Sequence, residues 1–429
     1  MLDIHWIREH AEEVQLVADQ KKINVSVREL LDWDERKRQL LRETEALRAA
    51  NHEASRSVRL LLEQGKDEEA RGITHQVKQL KLTLADKEAE LQHAEQQFQG
   101  LMLLMPNRVS EDTPVGRSDA DNVEIKRAGT VPAFEYGGRD HVSLGEMHDI
   151  LDMARGVKVA GTRSYVLKGA GVTLHRAVQQ LALDELMKRG YTPLEVPLMV
   201  RRDALQHTGF FPLGQDQIYE LEKEKRWLVG TSEVPLISCF SGEILDLKEP
   251  MRLAAATTCF RSEVGSAGKD VRGLYRVHQF AKVEQVILCQ NDAELSEQLL
   301  QELTQNAEHI LELLELPYRV MAVCTGDMSQ KTYKQYDIET WMPSRQAYGE
   351  THSSSLLLDF QARRAHIRYW NADGKPVYCH TLNNTAVATP RILIPLLENH
   401  QQEDGSIRIP EALRPYMGGA KMLAQGALI

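Results

Sequence analysis

The spacing of apolar positions divides the chain near residue 105. In residues 28–64, Leu40, Leu47, Ala54 and Leu61 fall seven apart, and in residues 68–104 Val77, Leu84, Leu91 and Phe98 do the same. A seven-residue repeat lays an apolar seam along one side of a helix, and that seam needs a partner helix. Gly65-Lys66-Asp67 interrupts the two patterns as a turn. The expectation is an antiparallel coiled-coil hairpin of two helices of roughly 35–40 residues, projecting about 50–60 Å at ~1.5 Å per residue. Its flanks mix Arg48, Arg56, Arg59, Lys78 and Lys81 with many glutamates, the pattern of a solvated surface. Periodicity alone leaves a dimerisation or spacer hairpin as open as an RNA-binding arm.

Residues 106–125 are rich in proline, glycine, aspartate and asparagine without periodicity, which predicts a linker. Beyond it, amphipathic helices are expected near 144–157 and 172–189. Short β-rich runs follow at Leu194–Val200, Trp227–Val229 and Val283–Leu288. Helices and strands come in blocks rather than strict alternation, which favours an α+β fold on an antiparallel sheet over a doubly wound one.

Composition narrows the class. The 429 residues suffice for two or three domains, and 42% hydrophobic with 27% charged residues is ordinary for a globular protein. A net charge of −10 argues against a generally sticky nucleic-acid binder, so any RNA contact must rest on local basic clusters. The five cysteines are scattered with no Cys-x-x-Cys pair, so no zinc is expected and a reducing cytoplasm is. The charged N-terminal stretch lacks the apolar core of a signal peptide, and no apolar run reaches the length of a membrane span.

The stretch richest in chemistry is 260–285, where strand-like ends flank a glycine-rich hairpin carrying Arg261, Arg272 and Arg276. A structural hairpin has no need of such arginines, whereas a polyanion does, because the planar guanidinium grips phosphate oxygens in a fixed fork. Other nucleotide loops fit poorly. Gly265-Ser-Ala-Gly268-Lys269-Asp270 lacks the hydroxyl residue and glycine spacing of a P-loop, and Gly169-Ala-Gly171 reads as a surface turn. No His-Glu-x-x-His metal motif or Gly-x-Ser-x-Gly elbow occurs.

Phe260-Arg-Ser-Glu-Val-Gly-Ser-Ala-Gly-Lys-Asp-Val-Arg-Gly-Leu-Tyr-Arg-Val-His-Gln-Phe280 resembles motif 2 of the class II aminoacyl-tRNA synthetases, and in detail that of the seryl-tRNA synthetases. The resemblance covers essentially the whole chain. It includes the two-helix arm, Gly-Arg-Asp-His-Val-Ser-Leu-Gly at 138–145, a motif 1-like segment at 189–200 with Pro197, and Thr231-Ser232-Glu233. Residues 350–364 and a motif 3-like segment at 383–399 complete it. Alone, the 189–200 segment reads as an edge strand ended by proline. The resemblance implies an N-terminal tRNA-binding domain at 1–105, a linker at 106–125 and a class II catalytic domain at 126–429, with motif 2 around 258–285. It implies ATP-dependent ligation of serine to tRNA(Ser) through a seryl-adenylate, in a cytoplasmic homodimer whose arm grips the tRNA. By resemblance Arg261, Glu350 and Arg391 are catalytic. ATP would meet Arg261, Glu263, Phe280, Glu350, Ser353 and Arg391, with Mg²⁺ on Glu350 and Ser353. Serine would meet Thr231, Glu233, Arg261, Glu284, Asn383 and Thr385. Arg272 and Arg276 are weaker assignments, to the outer phosphates or the tRNA acceptor end.

The chain departs from that family at Asn384, Thr385, Ala386 and Pro390, where the usual wording is Asn-Gly-Ser-Gly-Leu-Ala-x-Gly-Arg, and at Leu356 and His352. These positions are expected to gather around substrate recognition, with Ala386 near ligand and Pro390 opening the motif 3 helix. They keep two alternatives open beside serine ligation. One is a divergent paralogue activating serine or a smaller amino acid for a specialised pathway or inhibitor resistance. The other is a catalytically silent synthetase-like protein that binds tRNA.

Overall fold

The computed structural model describes residues 1–264 and 272–429. It forms two compact units, Leu2–Pro106 and Asn107–Ile429.

In the first unit, α1 (Val27–Glu63) and α2 (Asp67–Leu104) pack side by side as an antiparallel hairpin. Ser26 caps α1 by accepting from the Glu29 amide, and Asp67, Glu68 and Glu69 place negative charge at the positive end of α2. The heptad seam is where the periodicity put it, but its burial is uneven. Leu40, Leu91 and Ala94 are buried with Trp33 against them, whereas Ala54, Leu61, Val77 and Leu84 stay half-exposed. Two helices alone offer only one apolar contact line, so the farther stretch cannot bury more. Ion pairs Arg48–Glu88 (2.7 Å) and Lys87–Glu43 (3.1 Å) flank that line.

The second unit is built on an eight-stranded sheet. In chain order its strands are β1 (Val123–Ala128), β2 (Thr192–Pro193), β3 (Met251–Phe260), β4 (Gln279–Cys289), β5 (Tyr318–Ala322), β6 (Lys334–Met342), β7 (Ala347–Leu358) and β8 (His380–Thr389). They lie in the order β1-β5-β6-β7-β8-β4-β3-β2, and every pairing is antiparallel except the β2–β3 edge. Helices α3 (Ala170–Lys188) and α4 (Ala293–Leu313) cover one face, sharing a core with Val283, Ile287, Leu356, Leu382 and Ala386. Because side chains alternate along a strand, Lys282, Glu284, Asn383 and Thr385 turn to the opposite face and line a cleft there. The α+β class with an antiparallel sheet is the one the block pattern predicted.

Three local expectations need correction. The helix expected near 144–157 is two short ones, His141–Met147 and Met153–Ala160, separated by Asp149 in a left-handed conformation. Asp152 then caps the second by accepting from the Arg155 amide. The run Leu194–Val200 is a strand only at Met199–Val200; Pro193 and Pro197 lack the N–H a continuous ladder needs. Gly169-Ala-Gly171 is the start of α3 rather than a surface turn. Residues 107–122 have little regular structure but are tied to the sheet unit, Asn107 donating to the carbonyls of Lys331 (2.9 Å) and Leu357 (2.7 Å).

Candidate active site

All eleven residues assigned to ATP, serine or magnesium by resemblance line one cavity of about 180 Å³ on the open face of the sheet. They come from β4, β7 and β8, from the segments that follow β3 and β8, and from the Gly230–Glu233 turn.

One end of the cleft is cationic. Arg261 leaves β3 with its Nε donating to the Gly230 carbonyl (3.2 Å), its guanidinium 5.3 Å from the Phe280 ring centre. Arg391 donates from Nε to the Tyr275 carbonyl and from Nη1 to the Glu350 carbonyl, both at 3.0 Å, and lies 4.5 Å over the Tyr275 ring. Its nearest carboxylate oxygen, on Glu350, is 3.7 Å away. Neutral carbonyls thus hold both arginines in place and leave most of their charge for an anion. Arg276 differs, since it is already paired with Glu263 at 2.9 Å. Arg272 is 76% exposed and 3.4 Å from Asp140. The hairpin residues 265–271, which include the glycine-rich turn of the motif 2-like stretch, lie outside the described residues.

A clamp missed in the sequence holds the segment after that turn. Buried Glu398, in the helix Leu393–Asn399, accepts from the His141 amide (2.9 Å), the His141 Nδ1 (2.8 Å), the Ser344 amide and the Ser344 hydroxyl (both 2.9 Å). With its Nδ1 proton given to Glu398, His141 accepts from the Leu274 amide at Nε2 (3.2 Å). Gly273, at φ +82°, passes so close that a Cβ would stand 2.2 Å from that nitrogen. Asp140-His141 was visible in the 138–145 stretch, but no spacing rule links it to Glu398.

Beside the arginines, Glu350 and Ser353 sit on β7. Asp337, opposite Ser353 in the β6–β7 ladder, was not anticipated. Gln335 Nε2 donates to both Asp337 Oδ1 (2.9 Å) and Ser353 Oγ (3.1 Å). Burial, with the nearby Glu350 charge, pushes the Asp337 carboxyl up to about 8. Glu350 and Ser353 both line the cavity, and a carboxylate with a hydroxyl is the kind of oxygen donor pair that suits a divalent cation.

The other end is acidic but internally neutralised. Glu233 opens a short helix, its amide donating to Thr231 Oγ1 (3.2 Å). Its carboxylate takes the Lys331 ammonium on both oxygens (2.6 Å), with Gln361 (2.7 Å) and Asn383 (2.9 Å) donating to Oε1. Glu284, 2% exposed, meets the Lys282 ammonium at 2.6 Å in an ion pair that is not an aligned hydrogen bond. Burial raises the Glu284 carboxyl against the pull of Lys282, and burial lowers the Lys331 ammonium against the pull of Glu233. A buried carboxylate without a partner favours a polar or cationic ligand; at Glu284 the chain supplies Lys282 as that partner.

The departures from the family pattern separate by face. Thr385 and Pro390 line the cavity. Leu356 and Ala386 face the helices as core, and Asn384 bonds Gln285 (2.6 Å) and Ser354 (2.6 Å) behind the sheet. Ala386 therefore does not crowd a ligand with its side chain. Pro390 stands three residues before the helix that begins at Leu393, not in its first turn. His352 lines the cavity but is almost wholly buried, its Nδ1 on Thr351 Oγ1 (2.8 Å), and burial drives its imidazole down to about 3.

Residues 1–109 match the seryl-tRNA synthetase N-terminal domain, and residues 218–400 match the class II tRNA synthetase core domain (G, H, P, S and T). A serine–tRNA ligase of Deinococcus radiodurans is 44% identical over 426 residues, 99% of each chain. One of Bdellovibrio bacteriovorus is 40% identical, spanning 98% of this chain and 99% of its own. Among solved structures, the seryl-tRNA synthetase of Pyrococcus horikoshii complexed with ATP superposes with a TM-score of 0.90 at 35% identity, over 99% of both chains. Arm, sheet and cleft are thus shared along the full length with one family of enzymes, and the chain belongs to the seryl-tRNA synthetases.

Proposed function

We propose that this chain joins serine to tRNA(Ser) in two steps through a seryl-adenylate. The observation that carries the reading is the single cleft in which two carbonyl-held arginines, Arg261 and Arg391, face a polar pocket built on Glu233 and Glu284. In the first step a serine carboxylate oxygen attacks the α-phosphorus of ATP and the bond to pyrophosphate breaks. Two anions must approach, and charge builds on the phosphoryl oxygens, so fixed positive charge and positioning carry the catalysis. Arg261 bridges the α-phosphate and the serine carboxylate, Arg391 covers the outer phosphates, and Phe280 stacks on adenine beside Glu263. Glu233, Thr231 and Asn383 receive the α-ammonium, and Glu284 and Thr385 the hydroxyl. In the second step a ribose hydroxyl of the tRNA 3′ end attacks the acyl carbon and AMP leaves.

Glu350 and Ser353 would hold Mg²⁺, which neutralises phosphate charge when bound. The hairpin arm is assigned to the tRNA, in a domain at 1–105 ahead of a catalytic domain at 126–429. The β2 edge with its flanking 189–200 segment is assigned to a homodimer interface, in a cytoplasmic enzyme. The match to serine–tRNA ligases along the whole chain favours serine over the specialised-paralogue reading. Amino-acid-dependent ATP–pyrophosphate exchange with serine, glycine, alanine, threonine and cysteine tests this. Exchange with serine alone is expected; exchange with another of the five, or with none, would overturn it.

A further inference from the structure

We infer that Lys331 is a specificity-determining residue whose ammonium occupies the subsite for the substrate's own ammonium. The inference rests on the assignment of Glu233 to that group. An amino acid arrives as a zwitterion, and its cation needs a carboxylate that is free or can be freed. Here Lys331 Nζ lies 2.6 Å from both oxygens of Glu233, so the charge the ligand needs is already met from within the chain. The second pocket carboxylate offers no alternative, because Glu284 is paired with Lys282 at 2.6 Å.

The position of Lys331 makes displacement feasible. It lies in the irregular segment between β5 and β6, not within a strand, and its ammonium also sits 4.4 Å from the centre of the Phe210 ring, a cavity wall. That aromatic face already holds the cation and can go on holding it when Glu233 is given up, so release does not require leaving the site. Gln361 and Asn383 keep donating to Glu233 Oε1, so Oε2 is the oxygen that exchange of one ammonium for another would free. Binding serine then costs the release of Lys331, and a ligand without an ammonium pays no such penalty. Lys331 weakens amino-acid binding while sparing the carboxylate and nucleotide contacts at Arg261 and Arg391.

Calorimetric titration of the whole protein with L-serine, and with L-glycerate, which carries hydroxyl in place of ammonium, tests this. Lys331→Met is expected to bind serine roughly tenfold or more tightly than the wild type, because a buried Glu233 without its partner favours any incoming cation. Glycerate should gain nothing, and Lys331→Arg, which keeps the charge, should bind serine no better than the wild type. If removal of the charge destabilises the fold, Lys331→Gln keeps a donor to Glu233 and should still tighten serine. Serine binding that is unchanged, weaker or absent in both neutral variants would overturn the inference. Pyrophosphate exchange by the wild type decides the activity separately, since the titration needs only binding.

Discussion

The two ends of the cleft solve opposite problems with opposite charge economies. At the phosphate end, Arg261 and Arg391 are fixed by backbone carbonyls, and the described carboxylate nearest Arg391, on Glu350, stands back at 3.7 Å. At the amino-acid end, Glu233 and Glu284 are each tied to a lysine of the chain at 2.6 Å. A guanidinium is weakly hydrated and keeps its proton, so it can wait for an anion without a close counter-ion. A buried carboxylate is costly to leave without a partner, and the chain itself supplies a cation to each. The internal lysines meet both negative charges from within the chain, at the cost of competing with the ligand.

This contrast can be broken at several points. Arg261→Ala should have the largest effect, a loss of about 10²–10³-fold in adenylate formation, because it removes charge that acts as the phosphoryl oxygens become more negative. Single-turnover adenylate formation reads it, and near-normal rates would sink the assignment of the cationic end. Glu350→Gln should come next, with exchange demanding roughly tenfold more magnesium while the serine KM stays put. A magnesium titration showing no shift would remove Glu350 from the metal. Glu398→Gln loosens the His141–Leu274 clamp and should raise the ATP KM several-fold, about 1 kcal/mol, more than it moves the serine KM. Equal shifts in both constants would mean the clamp holds the fold generally and not the nucleotide end. The smallest effect is expected from Arg272→Ala, an exposed pair with Asp140 whose loss should cost less than about 1 kcal/mol in thermal unfolding.

Much of the architecture was legible because it rests on periodicity. The seven-residue seam of Leu40, Leu91 and Phe98 and the β-rich run Val283–Leu288 within β4 announce themselves within a few residues. The motif residues were legible for another reason, since several chemically improbable arginines and glutamates stood in one order. What stayed hidden are partners from distant segments. Lys331 comes from 98 residues beyond Glu233, and His141 meets Glu398 across 257 residues. Neither pairing leaves a local pattern, because a salt bridge or clamp depends on the tertiary path and not on spacing. The faces of Ala386 and Leu356 were misjudged likewise: strand parity relative to the core decides which neighbour of a site residue touches ligand.

The most direct test is a co-crystal structure with a non-hydrolysable seryl-adenylate analogue, in which a sulfamoyl group stands for the α-phosphate. The sulfamoyl oxygens should lie against Arg261 and the α-ammonium on Glu233, with the Lys331 ammonium withdrawn from Glu233 and still over the Phe210 ring. An analogue bound with its ammonium away from Glu233, or its sulfamoyl group away from Arg261, would contradict this arrangement.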